Sequence, residues 1–181
     1  MTILLNKMNL LTLLQNYQTQ DSNEAKMVQE TIAFVKENSN CFERMLLIGH
    51  ITGSAWILDK TRTSALLIHH KKLNQWFQPG GHCDGETDVL QVALKEAQEE
   101  TGLINLKVVG EQIFDVDIHL IPERKGIPAH NHYDIRFLLE ADINEPLQIS
   151  EESNDLAWIS LAEMNQFNDS ESIMRIVKKS D

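Results

Sequence analysis

The segment from Pro79 to Gly102 constrains this chain more than any other. It reads Pro79-Gly80-Gly81-His82-Cys83-Asp84-Gly85-Glu86-Thr87-Asp88, then a mixed apolar and polar run to Thr101, then Gly102. Four of the eight glycines in 181 residues fall here, and they bracket a stretch with helical periodicity. Val89, Leu90, Val92, Ala93, Leu94 and Ala97 supply the buried side of that helix. Thr87 or Asp88 can cap its start, and Gly102 suits the left-handed position past its last turn. The spacing predicts a tight glycine turn that feeds into a helix.

Glu96, Glu99 and Glu100 stand at i, i+3 and i+4 of that helix, so their carboxylates share one face within about 6 Å. Like charges this close destabilise an isolated helix. Two readings are open: a solvated acidic face, or a site for a hard cation, since Mg²⁺ takes clustered oxygen ligands. A Gly-Gly turn that lets backbone carbonyls approach the same place favours the cation.

Charge sharpens the question. Sixteen Lys+Arg against 27 Asp+Glu give a formal charge of −11, and no basic run exceeds two residues. That excludes non-specific nucleic-acid binding, which needs a basic footprint. A phosphate-bearing substrate is repelled by such a field unless metal cations or a few placed basic groups neutralise it locally. With 42% hydrophobic and 24% charged residues the composition is that of an ordinary globular protein. No apolar stretch approaches the roughly 20 residues of a membrane span. The opening Met1-Thr2-Ile3-Leu4-Leu5-Asn6-Lys7 is broken by polar residues, so no secretory signal is expected. Two cysteines, Cys41 and Cys83, give no disulfide framework and fit a reducing, cytoplasmic compartment.

The chain starts as two helices. Met8, Leu11 and Leu14, with Leu10 and Tyr17, recur at helical spacing, and Asp21 with Glu24 resembles a capping box before a stripe of Ala25, Val28, Ile32 and Val35. Asn38-Ser39-Asn40 ends it. Strands are expected at residues 45–51, 54–58, 65–70, 106–109, 113–120 and 133–139, and helices at 161–164 and 170–179. In the 113–120 run Phe114, Val116, Ile118 and Leu120 alternate with Asp115, Asp117 and His119, the pattern of a half-buried strand. This order of elements predicts an α/β or α+β sandwich, with residues 1–43 as an N-terminal helical extension and 44–181 as the main domain.

From Gly81 to Leu103 the sequence resembles the Nudix box, G-x5-E-x7-R-E-U-x-E-E-x-G-U with U apolar. Gly81, Glu96, Ala97, Glu99, Glu100, Gly102 and Leu103 match, while Thr87 departs from the first Glu and Lys95 from the Arg. The approach Trp76-Phe77-Gln78-Pro79-Gly80-Gly81 and the later Asp155–Met164 stretch are also similar to the family, so the likeness spans about residues 45–164. The resemblance implies an α/β/α sandwich around a mixed β-sheet, and hydrolysis of a diphosphate linkage in nucleoside diphosphate derivatives with Mg²⁺ or Mn²⁺. It implies Glu99 and Glu100 as metal ligands with the Gly80 carbonyl, Glu96 as a further ligand or the base acting on water, and Lys95 in the place of the Arg that steadies the catalytic Glu. Lys95 keeps the charge and can pair with Glu99, but lacks the planar two-point grip of a guanidinium. Glu86 and Asp88 flank Thr87 and are candidates to replace the missing carboxylate. A Nudix-fold binding or regulatory module with weakened catalysis is the alternative these departures leave open.

Outside the box, His132, Tyr133 and Arg136 offer a donor, a stacking ring and a phosphate fork for substrate. The rival reading pairs Arg136 with a carboxylate inside the fold. In many family members a loop carboxylate adds a ligand or base, and Glu151 or Glu152 is the place to look. A transition-metal site from His82, His130 and His132 is a further candidate, and a catalytic Cys83 with His82 is disfavoured by the lack of another base partner. The N-terminal helices are open to three roles: packing on the sandwich, a homodimer contact, or a wall of the pocket.

Overall fold

The structure, a computed structural model, describes residues 2–124 and 126–180, with side chains from residue 9 onward; the Met8 side chain lies outside the described residues. The elements run α1 (Thr2–Asn16), α2 (Ser22–Glu37), β1 (Gly49–Asp59), β2 (Ser64–His70), β3 (Gln75–Phe77), β4 (Gly80–His82), α3 (Val89–Thr101), β5 (Lys107–Val108), β6 (Asp115–Ile121), β7 (His130–Ala141), β8 (Ser153–Ser160) and α4 (Glu171–Lys179). A 3-10 helix, Leu161–Gln166, precedes α4. The eight strands form one sheet with the path β3-β2-β1-β7-β5, to which β4 adds on β1, β6 on β7 and β8 on β2. β1 and β7 are parallel, in register from Gly49 opposite Asn131 to Asp59 opposite Ala141. The other ladders are antiparallel, so the sheet is mixed.

Strand alternation sends side chains to two cores. Ile51, Ala55, Ile57, Ile135, Phe137 and Leu139 pack beneath Leu10, Leu14, Val28, Val35, Val92 and Ala97 of α1, α2 and α3. On the opposite face Trp56 and Leu58 meet Met164 and α4 residues Ile173 and Ile176. Helices on both faces of a mixed sheet make the α/β/α sandwich that the order of elements predicts. The N-terminal helices belong to the first of these cores.

Three expectations change. Residues 45–51 and 54–58 do not form two strands; β1 is one strand that begins at Gly49, and it is buried along its whole length. Residues before it are held in turns by Leu46 N–H to the Glu43 carbonyl, 3.0 Å, and Gly49 N–H to the Leu46 carbonyl, 3.1 Å. Gly53 does not interrupt the strand. It makes room for α3, because a Cβ there would lie 2.8 Å from the Val89 carbonyl oxygen.

The second change is in β6. Two of its three polar positions are not turned to water: Asp115 is 0% exposed and Asp117 is buried, whereas His119 and the apolar Leu120 are exposed. Three cations account for it. Arg136 reaches Asp134 at 2.9 Å and Asp115 at 3.1 Å; Arg175 of α4 reaches Asp115 at 2.8 Å and Asp117 at 2.9 Å; Lys179 reaches Asp115 at 2.7 Å and also Glu24.

The third is Glu24. Asp21 does cap α2, accepting from the N–H groups of Asn23 and Glu24 at 2.9 Å. The Glu24 carboxylate, fully buried, turns instead to the edge of β6 and accepts from the Val116 N–H at 3.1 Å. It also accepts from the Tyr17 hydroxyl at 2.7 Å. An edge strand otherwise offers unpaired backbone groups; here α2 covers them.

Candidate active site

The glycine turn and α3 face each other through carboxylates. Asp88 caps α3, accepting from the Gln91 N–H at 3.2 Å, and Gly102 takes the left-handed conformation at φ 76°. The Gly80 N–H donates to Glu100 Oε2 at 2.9 Å. A Cβ on Gly81 would lie 2.5–2.7 Å from the Glu96 carboxylate, so only glycine leaves that carboxylate its place. Glu99 is exposed beside them, with Lys95 Nζ 3.7 Å from its Oε1. The turn is fixed to the sheet by Asp134, which accepts from Ser54 Oγ at 2.6 Å and Thr52 Oγ1 at 2.9 Å, and Ser54 in turn packs against Gly80.

Electrostatically this is a crowded set of acids. Burial pushes Glu100 up to about 7, helped by the charges of Glu96, Glu152 and Glu99 and opposed by the Gly80 N–H. Glu96 is raised by burial, then by Glu99, with Lys95 opposing. The charge of Glu152 acts on both, so the loop before β8 brings a further carboxylate toward the cluster. The donors are all oxygen, and their repulsion is what a divalent cation relieves; the residues fit Mg²⁺ or Mn²⁺.

Neither neighbour of Thr87 replaces its missing carboxylate. Thr87 is buried. Glu86 accepts from the N–H groups of Thr87 at 2.7 Å and Asp88 at 2.9 Å, and Asp88 is occupied as the cap. Both acids are committed to starting the helix.

His132, Tyr133 and Arg136 do not form one binding surface. The Arg136 side chain is 4% exposed and spends its donors on Asp134, Asp115 and Asp117, so it has no free fork for a phosphate. Tyr133 lies on the opposite face, stacked on Phe34 with centroids 4.0 Å apart and planes 9° from parallel. His132 joins a group of histidines. Arg44 is the basic residue that sequence reasoning passed over: it is exposed, paired with Asp84, and close enough to Glu96 to feel its charge. It sits in a turn outside any motif, and only the fold brings it to the box.

His82, His130 and His132 do come together, and His50 completes the group, its ring 5.0 Å from His82, 5.1 Å from His130 and 4.7 Å from His132. Burial lowers His50 to about 4 and His132 to about 2, and lowers His82 as well. Cys41 and Cys83 are buried and not joined in a disulfide. Burial pushes the Cys83 thiol well above its ordinary range, which rules against a thiolate nucleophile.

The chain is similar to known proteins in sequence and in fold. The chain is 30% identical over 125 residues to a "Probable DHNTP pyrophosphohydrolase" of Lactococcus lactis subsp. cremoris, covering 68% of this chain and 73% of that protein. It is 30% identical over 112 residues to the "Bis(5'-nucleosyl)-tetraphosphatase [asymmetrical]" of Rattus norvegicus, covering 60% and 72%. In fold it resembles a C. elegans Ap4A hydrolase in a binary complex, with TM-score 0.59, 20% identity and coverage of 71% and 93%. The E. coli dihydroneopterin triphosphate pyrophosphohydrolase gives TM-score 0.58, 14% identity and coverage of 71% and 92%. The family profile described as NUDIX domain matches residues 50–179, and this chain is a member of the NUDIX domain family.

Proposed function

We propose that the protein is a divalent-metal-dependent pyrophosphohydrolase that cleaves a diphosphate linkage in a nucleotide-derived substrate. The observation that carries this reading is the convergence of Glu96 and Glu100 on the Gly80-Gly81 turn, with Glu99 alongside. Glu99, Glu100, Glu96 and the Gly80 carbonyl would hold the cation. There Mg²⁺ or Mn²⁺, when bound, would supply charge to offset the diphosphate and would make the attacking water more acidic. Glu96, half-buried and with its pKa raised, suits the acceptance of the water proton. Hydrolysis then forms one P–O bond from the water oxygen and breaks the bridging P–O bond, whose oxygen leaves with the other phosphate. Lys95 restrains Glu99, and Arg44 supplies exposed positive charge for a polyphosphate.

The two named relatives act, by their names, on a pterin triphosphate and on dinucleoside tetraphosphates, which share a polyphosphate chain. Both compounds, with nucleoside diphosphate sugars, belong in a screen of turnover with Mg²⁺ or Mn²⁺ in ¹⁸O-water. The expected result is one ¹⁸O atom in a phosphate product, abolished by EDTA. The buried Thr87 at the position of the box's first Glu favours the second reading, a binding module. Nucleotide binding without turnover under any metal would establish that module and overturn the enzyme.

A further inference from the structure

The histidine group is not used by the carboxylate chemistry, and its construction is specific. β1 and β7 place His50 directly opposite His132. The two-residue period of β7 puts His130 on the same face as His132. β4 pairs with β1 and delivers His82, the residue after Gly81. One ring nitrogen from each of His50, His130 and His132 lies within 4.8 Å of the other two. His82 stands over His132 with ring centroids 5.0 Å apart.

The hydrogen bonding of these rings is incomplete. His50 is 2% exposed; neither ring nitrogen makes a well-formed hydrogen bond, and the Leu46 backbone beside the ring can satisfy one nitrogen at most. Nε2 of His132 is likewise buried and unpartnered. Buried polar atoms are nearly always satisfied, so at least two left over in one cluster, one on His50 and one on His132, point to a further partner there. His130 shows how its own ring is set: Nδ1 lies 2.8 Å from the Pro128 carbonyl. Donation there fixes the tautomer and leaves Nε2 a free lone pair, the usual outer support of a metal-bound histidine.

We propose that His50, His130 and His132, with His82 as the fourth ligand, form a transition-metal site that takes Zn²⁺. The donor chemistry separates it from the oxygen cluster next door, because imidazole suits Zn²⁺ while carboxylate and carbonyl suit Mg²⁺ or Mn²⁺. Zn–N bonds of about 2.0–2.1 Å set tetrahedral nitrogens about 3.4 Å apart, so the three rings would close by no more than about 1.4 Å from the present separation. A metal here ties β1, β4 and β7 together one residue from Gly81, so it would hold the glycine turn against α3.

The test needs no substrate and so stands apart from the pyrophosphohydrolase reading. Tag-free protein, stripped with chelator, is titrated with Zn²⁺ and with Co²⁺ in excess Mg²⁺, and bound metal is counted by elemental analysis. The expected result is one Zn²⁺ per chain, intense visible bands of tetrahedral Co²⁺, and a higher melting temperature with Zn²⁺. His130→Gln, at a half-buried position that leaves the core intact, should weaken Zn²⁺ affinity by well over about a hundredfold, beyond the roughly ten- to hundredfold loss typical of outer-shell partners. His132→Gln should do the same, while Glu99→Gln should leave Zn²⁺ binding unchanged. No Zn²⁺ uptake, or wild-type affinity in folded His130→Gln and His132→Gln, overturns the proposal in favour of a packed histidine cluster. Loss of Zn²⁺ in Glu99→Gln overturns it in favour of adventitious binding by the carboxylates.

Discussion

At the scale of single residues, the position of Glu96 depends on an absent side chain. A Cβ at Gly81 would fall 2.5–2.7 Å from the Glu96 carboxylate, and that carboxylate is the free end of a flexible side chain. Gly81→Ala should therefore fold and melt close to the parent while displacing Glu96. Misplacement of a catalytic group by about 1 Å can cost about a hundredfold in rate, so kcat should drop at least tenfold (roughly) with little change in KM. Arg44 makes the opposite prediction. It is exposed, so Arg44→Ala should leave the melting temperature alone and raise KM about tenfold, since a charge-assisted hydrogen bond contributes about 1.5–3 kcal/mol. Steady-state kinetics and a melt on each variant check both. Lys95 and Thr87 were visible as departures in the sequence, but their consequences were not. That Glu86 and Asp88 cannot substitute depends on which backbone N–H groups they accept from, which spacing does not state.

At the scale of elements, what was legible followed from periodicity and caps. α2 with Asp21 as its cap, α3 with Asp88 and Gly102 at its ends, and α4 as a closing helix are readable from local residues, though Ser170 caps α4 and does not belong to its first turn. β6 misled because alternation reports two faces and not what covers the polar one. Whether Asp115 and Asp117 meet water depends on Arg175 and Lys179, which lie far along the chain and pack there only in the fold. His50 was passed over for a related reason, since it is one histidine in an apolar strand and the register of β1 on β7 gives it its partners. Burial and three carboxylate partners favour a structural role for Arg136. Arg136→Met removes a cation from among three buried carboxylates, and breaking a buried pair this way costs about 3–5 kcal/mol. Chemical denaturation should show that loss, while KM among the molecules that remain folded should be nearly unchanged. A large KM increase without loss of stability would restore Arg136 to the substrate.

At the scale of the whole molecule, one ion network links α2, the sheet and α4 through Glu24, Lys179, Asp115, Arg175, Asp117, Arg136 and Asp134. Despite their burial, Asp115 and Asp117 are held below the ordinary carboxylate range, Asp115 by hydrogen bonding to Arg175 and the charges of Arg136 and Lys179, and Asp117 by His119, Arg136 and Arg175. A carboxylate depressed in the folded state stabilises the fold above its unfolded pKa. That stability is lost as pH falls toward the folded value, because the unfolded chain then binds more protons. Stability should therefore fall steeply below about pH 4, the unfolded Asp value, and Asp117→Asn should flatten the acid limb of a denaturation series. A limb unchanged by that substitution would remove the network from the account. The central claim concerns the carboxylates of α3, and the most direct measurement is kcat for Glu99→Gln against the parent at saturating Mg²⁺, with both proteins verified as folded. The account predicts a fall of about two orders of magnitude or more; undiminished turnover in Glu99→Gln would contradict it.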